Sequence, residues 1–214
     1  EHYVGIFYFL WMGEHQDTGA WDMTHIVEKY GDKAFNTKTC NAWGPVGQMH
    51  YFAEPLYGYY YSSDQWVMRK HMELLSNANV DFLYIDVTNG YEYYNNAIKL
   101  MEVCHEMNQQ GYDAPQIVFY THSSSKDVVK RLYDKTYSKN QYPDTWLYVD
   151  GKPLIIAEEE DNINGFFSIR LPQWPNESTK SNSWPWMDFQ WPQRVFKHDG
   201  KGEAISVSMA QHAG

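Results

Sequence analysis

Carboxylate side chains follow several of the predicted strands, and they are the residues best suited to do chemistry. Asp86 lies near the end of the apolar run Val80 to Gly90. Four consecutive acids begin at Glu158, and Asp188 lies among aromatic residues. Catalytic groups of parallel α/β folds lie just past the carboxyl ends of strands, and cleavage of a glycosidic bond needs two carboxylates there. We therefore predict that Asp86 acts with Glu158 or Glu159, and that Asp188 is a third candidate.

Aromatic, imidazole, amide and guanidinium groups follow the same strands or lie in the loops between them. Tyr and Trp offer an apolar face with a polar tip, which suits stacking on sugar rings, and the chain has 18 Tyr and 9 Trp. This composition predicts a carbohydrate substrate. The residues that we expect to stack on its rings or bind its hydroxyls are Trp11, His15, His50, Tyr59, His122, Arg170, Trp191, Gln211 and His212.

Other uses of these residues stay open. Asp86 can cap the turn at Asn89-Gly90, consecutive acids are typical of a solvated loop, and Asp188 can pair with Arg194. The histidines occur singly, without the spacing of a metal site, so no metal or other cofactor is predicted. A metal-dependent hydrolase on the same scaffold is nevertheless an alternative. A serine hydrolase is disfavoured because residues 121–125 lack the glycines of a nucleophile elbow.

The elements that must position these residues alternate between strands and helices. Apolar runs predict strands at residues 4–11, 80–90, 116–120, 153–157, 166–171, 184–193 and 205–209. Amphipathic patterns predict helices at residues 18–30, 62–79, 94–110 and 126–137. This alternation indicates an α/β fold, a (β/α)8 TIM barrel that is incomplete at its C-terminus. We expect a single catalytic domain over residues 1–214, truncated or lacking its last β/α unit.

Charge and composition exclude several classes of partner. The formal net charge is -10, with 17 Lys and Arg against 27 Asp and Glu, which disfavours nucleic acids and anionic membranes. No run approaches the ~18 apolar residues of a membrane span. The two cysteines, Cys40 and Cys104, make neither a disulfide framework nor a zinc site. A neutral carbohydrate therefore fits the charge balance best.

Three segments resemble glycoside hydrolase families 71 and 99 and their relatives. They are VGIFYFLWMG from Val4, PLYGYYYSSDQWVMRKHMELLSNANVDFLYIDVTNG from Pro55, and YVDGKPLIIAE from Tyr148. The resemblance implies a (β/α)8 barrel and an exported, glycan-degrading enzyme of the bacterial periplasm, cell surface or medium. The chain differs from family 99 at Phe119 to Ser123, where that family has a His-Ile-Glu-Pro-Tyr type motif and this sequence has no glutamate. The family 99 catalytic residues are therefore not carried over. A non-catalytic glycan-binding barrel is the alternative to a hydrolase.

Overall fold

The computed structural model describes residues 2–14, 19–36, 38, 40–44, 51 and 53–207. The chain forms two compact units. One contains Glu1–Tyr8, Phe82–Glu92 and Gln116–Gly214, and the other contains Phe9–Asp81 and Tyr93–Pro115. A single domain over the whole chain stays a prediction.

The first unit contains the strands of the described chain. They are β1 (Gly5–Tyr8), β2 (Phe82–Val87), β3 (Gln116–Thr121), β4 (Tyr148–Val149), β5 (Lys152–Ile156), β6 (Ser168–Gln173), β7 (Ser183–Pro185), β8 (Val195–His198) and β9 (Lys201–Ile205). Strands β1, β2, β3, β5, β6 and β7 are parallel neighbours in chain order. This is the order of a barrel rather than of a doubly wound sheet, in which the order reverses. The predicted α/β class with parallel strands is confirmed.

One face of this sheet, called the inner face here, carries a largely aromatic core. Side chains two residues apart on a strand share a face, so β2, β3 and β5 each contribute a pair of residues. The buried members of the core are Phe82, Tyr84, Val118, Tyr120, Leu147, Leu154, Ile156 and Trp184. The ring of Phe7 on β1 lies 5.8 Å from that of Trp186, just after β7. This contact between the first and last parallel strands shows that the sheet curls around the core.

Two antiparallel hairpins accompany the parallel strands. Asp150 and Gly151 both have positive φ, 53° and 75°, and join β4 to β5. Asp199 and Gly200 have φ of 48° and 76° and join β8 to β9 in the same way. A further strand was predicted at residues 205–209, of which residues 208–209 lie outside the described ranges. In the described part, β9 ends at Ile205 and this second Asp-Gly turn folds it against β8.

Helix α4 (Ser125–Lys135) belongs to the first unit and is anchored by a buried carboxylate. Glu92, in the segment after β2, accepts from Arg131 Nε and Lys135 Nζ, both at 2.8 Å. The Arg131 guanidinium also donates to the carbonyl of Gly90 at 2.9 Å. These contacts fix the segment that follows Asp86 against the helix.

The second unit contains α1 (Met23–Tyr30), a 3-10 helix (Gly31–Phe35), α2 (Gln65–Asn77) and α3 (Tyr94–Gln109). Asp64 caps α2, accepting from the N–H groups of Trp66 and Val67. Glu14 does the same for α3 from a distant segment, accepting from the N–H groups of Asn95 and Asn96 at 2.9 and 2.8 Å. Among the described residues no helix has the length and apolar character needed to cross a bilayer.

Candidate active site

Three polar side chains lie at or just past the carboxyl ends of adjacent strands. Asp86 on β2 is paired with Tyr120 on β3, and Tyr120 with Ile156 on β5. Both Tyr120 and Ile156 belong to the inner core. The Trp174 ring lies near the rings of both Tyr120 and His122, so His122 lies on the same face as Tyr120. Glu158 follows the end of β5 after a bend at Ala157. The ends of β2, β3 and β5 are thus followed or closed by an acid, an imidazole and an acid.

The two acids differ in their surroundings. Asp86 is 4% exposed, and its Oδ1 accepts from the N–H of Thr88 at 3.0 Å. Within the described residues nothing donates to its Oδ2. Glu158 is half-buried and, within the same ranges, its carboxylate forms no hydrogen bond or ion pair. Glu159 is exposed and accepts from Asn182 Nδ2 at 3.3 Å. Of the two glutamates, Glu158 is therefore the more buried and the one without a partner within those ranges.

The hydroxyl of Tyr120 lies at the centre of this region. It donates to the carbonyl of Trp184 at 2.9 Å and accepts from the N–H of Gln173 at 3.0 Å. Burial raises the pKa of Tyr120 strongly, and the negative charges of Glu177 and Asp86 raise it further. The phenol therefore stays protonated. Glu177 and Asp86 are the two acids whose negative charge acts on this hydroxyl.

An aromatic wall borders the acids. The Trp174 ring, at the end of β6, lies 4.6 Å from the exposed imidazole of His122 and 5.0 Å, edge to face, from the ring of Trp186. Both tryptophans are half-buried, so each keeps part of its surface accessible. The sequence prediction missed Trp174, Trp186 and Glu177. Trp174 continues the alternation of β6 beyond Arg170, which is the signal that could have identified it.

Asp188, the third predicted acid, is bound by Arg194. It is 1% exposed and takes hydrogen bonds from Arg194 Nε at 3.0 Å and Nη2 at 3.1 Å, and from the N–H of Gln190 at 3.1 Å. Burial would raise the pKa of Asp188, but these donors lower it below its ordinary value. Because both oxygens are occupied and the group stays ionised, we leave Asp188 out of the catalytic pair.

Arg170, a predicted substrate contact, forms a buried ion pair instead of facing an open surface. It is 3% exposed and donates from Nε and Nη2 to the two oxygens of Glu203, at 2.7 and 2.6 Å. Trp184 Nε1 donates to the same carboxylate at 2.7 Å. Burial would raise the pKa of Glu203, but the hydrogen bonds from Arg170 and Trp184 lower it. The β8–β9 hairpin is thereby tied to the inner core.

The other predicted substrate contacts are dispersed or outside the described ranges. Trp191 belongs to the first unit and is 71% exposed. Trp11 and Tyr59 belong to the second unit, where Trp11 is half-buried against Phe9 and Tyr59 shares a 3.3 Å hydrogen bond with the hydroxyl of Thr24. The residues that lie outside the described ranges are His15, His50, Gln211 and His212.

Metal ligation has little support in the part of the chain that the structure describes. No three His, Cys, Asp or Glu side chains come together there in an arrangement that would hold a metal ion. Cys40 and Cys104 are buried and are not joined in a disulfide. The groups that the described site offers are carboxylates, an imidazole and aromatic rings.

Comparison with known proteins yields a distant likeness among solved structures. No protein family and no curated protein matches the chain. Among solved structures it is similar to the GH99 endo-α-mannosidase of Bacteroides thetaiotaomicron in complex with bis-tris-propane, with a TM-score of 0.40 and 17% sequence identity. The match covers 71% of this chain and 40% of that one, so the chain corresponds to about two fifths of that protein's length.

Proposed function

We propose that this protein is a glycoside hydrolase whose catalytic pair is Asp86 and Glu158. The observation that supports the proposal is the strand register: Asp86 on β2 is paired with Tyr120, Tyr120 is paired with Ile156, and His122 and Glu158 come two residues after those partners. One carboxyl group would protonate the leaving oxygen and the other would act on the anomeric centre or on water. Trp174 and Trp186 supply half-buried aromatic surface for the C–H faces of a sugar.

The register favours inversion over retention. Asp86 and Ile156 lie two strands apart, which is about 9–10 Å between Cα atoms, and Glu158 is about 7 Å further along the strand direction. Inward curvature brings such side chains closer together than their backbones. Inverting enzymes separate their carboxyl groups by about 6.5–9.5 Å and retaining enzymes by about 5–5.5 Å. A pair two strands apart suits the larger spacing.

Two conservative variants test the catalytic pair. Asp86→Asn and Glu158→Gln keep the shapes of the side chains but remove their proton chemistry, so each is expected to lower kcat by about 10²–10⁴-fold. Substrate is first identified by release of reducing ends from a panel of neutral plant and microbial glycans. Glu160→Gln is the matched control, because Glu160 is an exposed neighbour of Glu158. Unchanged kcat in both Asp86→Asn and Glu158→Gln would refute the pair.

A non-catalytic glycan-binding protein is the second candidate function. It is favoured by the hydrogen bond from the Thr88 N–H to Asp86, since that contact alone gives the carboxylate a structural role. In that case no hydrolysis is found, sugar binding persists, and Asp86→Asn changes only the free energy of unfolding. Unfolding and binding measurements on that one variant therefore separate the two functions.

The proposal includes two expectations from the resemblance. The six parallel strands would form part of an eight-stranded (β/α) barrel, and the protein would be exported. Chain order of the strands supports the first expectation. Fractionation of the producing cells, with detection of the protein in each compartment, tests the second.

A further inference from the structure

The turn at residues 174–180 is fixed by a single guanidinium. Arg194 binds both oxygens of the buried Asp188, and its remaining N–H groups reach the turn. They donate to the carbonyls of Pro175 at 3.1 Å and Glu177 at 2.8 Å, and to the hydroxyl of Thr179 at 3.3 Å. Because Asp188 is 1% exposed, the anchor itself is held within the unit.

A second anchor fixes the turn from β6. Gln173 is fully buried, and its Oε1 accepts from the N–H of Lys180 at 2.7 Å. Its Nε2 donates to the carbonyls of Trp174 at 3.1 Å and Ser178 at 3.3 Å. Two buried side chains thus tie down a seven-residue turn that has no helix or strand of its own. Such support from buried side chains is what holds a binding residue in a defined position.

The turn presents an aromatic face and a carboxylate together. Trp174 lies against the exposed imidazole of His122, with ring centroids 4.6 Å apart. Glu177 Oε2 accepts from the N–H of Trp174 at 3.1 Å and from Lys180 Nζ at 2.9 Å, while no donor among the described residues reaches Oε1. A flat ring beside an accepting oxygen is suited to a sugar, which has an apolar C–H face and donating hydroxyls.

The charge around this arrangement is negative. Burial would raise the pKa of Glu177, but the hydrogen bonds from Lys180 and from the Trp174 N–H lower it, so the group is ionised at neutral pH. Lys180 is paired with Glu177, whereas Glu158 has no cationic partner in the described part of the chain. A second anionic group brought into this region would meet the repulsion of Asp86, Glu158 and Glu177.

We propose that His122, Trp174 and Glu177 form a sugar-ring subsite that selects neutral hexoses over hexuronates. The C–H face of the sugar stacks on Trp174, a hydroxyl donates to Glu177 Oε1, and His122 borders the ring. This inference rests on the proposed function, because it names the class of sugar that the same site holds. It requires only binding, so it can be tested separately from hydrolysis.

Titration of the protein with matched sugars tests the subsite. The probes are glucose and galactose with glucuronate and galacturonate, followed by NMR at pH 7. We expect each neutral sugar to bind at least tenfold more tightly than its uronate. Glu177→Gln removes a negative charge and releases Lys180, so the uronates should gain threefold or more in affinity. Trp174→Ala should abolish binding of both classes, and Glu160→Gln, an exposed acid in the loop after β5, should change neither.

The outcomes separate the subsite from the catalytic pair. The subsite is refuted if neither neutral sugar binds, if uronates bind as tightly as neutral sugars, or if folded Trp174→Ala binds like the wild type. An unchanged neutral-to-uronate ratio in Glu177→Gln also refutes it. If Asp86→Asn abolishes hydrolysis while these results are negative, only the subsite fails. If the sugar titrations succeed while Asp86→Asn and Glu158→Gln hydrolyse normally, the subsite stands and the catalytic pair fails.

Discussion

The ion pair of Arg170 and Glu203 gives the sharpest stability prediction. Arg170 is 3% exposed, and Glu203 provides the acceptors for its Nε and Nη2 and for the indole of Trp184. Glu203→Ala would leave the buried Arg170 with only the exposed carboxylate of Asp150, 3.9 Å from its Nη2, and would leave the Trp184 indole N–H without its acceptor. Removing one partner of a fully buried pair costs about 3–5 kcal/mol. Because the Glu203 side chain is 24% exposed, we expect the free energy of unfolding to fall by no more than the lower end of that range.

Urea unfolding measures this change from the midpoint and slope of the transition. Asp134→Ala is the matched control, because the Lys130–Asp134 pair on α4 is exposed and such pairs contribute about 0–1 kcal/mol. Replacing both partners, as in Arg170→Met with Glu203→Leu, should recover most of the loss, because no buried charge is left unpaired. A loss below about 1 kcal/mol in Glu203→Ala would refute this reasoning, since a buried charge without a partner costs more.

Three further substitutions test other contacts by urea unfolding. Gly5→Ala should cost about 1–3 kcal/mol, because a Cβ there would lie 2.2 Å from the Phe82 ring; no loss would contradict that packing. Glu14→Ala removes the cap of α3 and should lower the free energy of unfolding by about 0.5–2 kcal/mol. An unchanged midpoint of urea unfolding would show that the cap does not stabilise the fold. Burial would raise the pKa of Glu92, but the hydrogen bonds from Lys135 and Arg131 lower it. The stability that the Glu92 carboxylate contributes to the fold is therefore complete above its pKa in the unfolded chain, about 4.3, and is lost as the pH falls through its lower pKa in the folded protein. Glu92→Gln should therefore destabilise less at pH 3 than at pH 7, and equal losses at both would refute the linkage.

Local sequence signals predicted most of the first five strands and the four helices. The apolar run at β2 and the cap at Asp64 depend on neighbouring residues only, so a pattern in the sequence identifies them. The β8–β9 hairpin was missed although Asp199-Gly200 repeats the turn chemistry of Asp150-Gly151. Its strands are short and half exposed, so they lack the apolar run by which the others were found.

The site was less predictable because it depends on which faces meet. Sequence alone left Glu158 and Glu159 equivalent, and it is the difference in burial that separates them in the structure. Glu177 lies in a turn without periodicity, and the position of its backbone depends on Arg194, seventeen residues away along the chain. Such long-range contacts leave no local pattern for a sequence argument to use.

Kinetics of the double variant Asp86→Asn with Glu158→Gln test the central claim most directly. Residues that act as one catalytic unit show losses that are far from additive. We predict that the double variant hydrolyses its glycan no more slowly than the worse single variant, while sugar binding and the free energy of unfolding stay close to those of the singles. Losses of kcat that multiply, or activity within about tenfold of the wild type, would contradict a shared role for these two carboxylates.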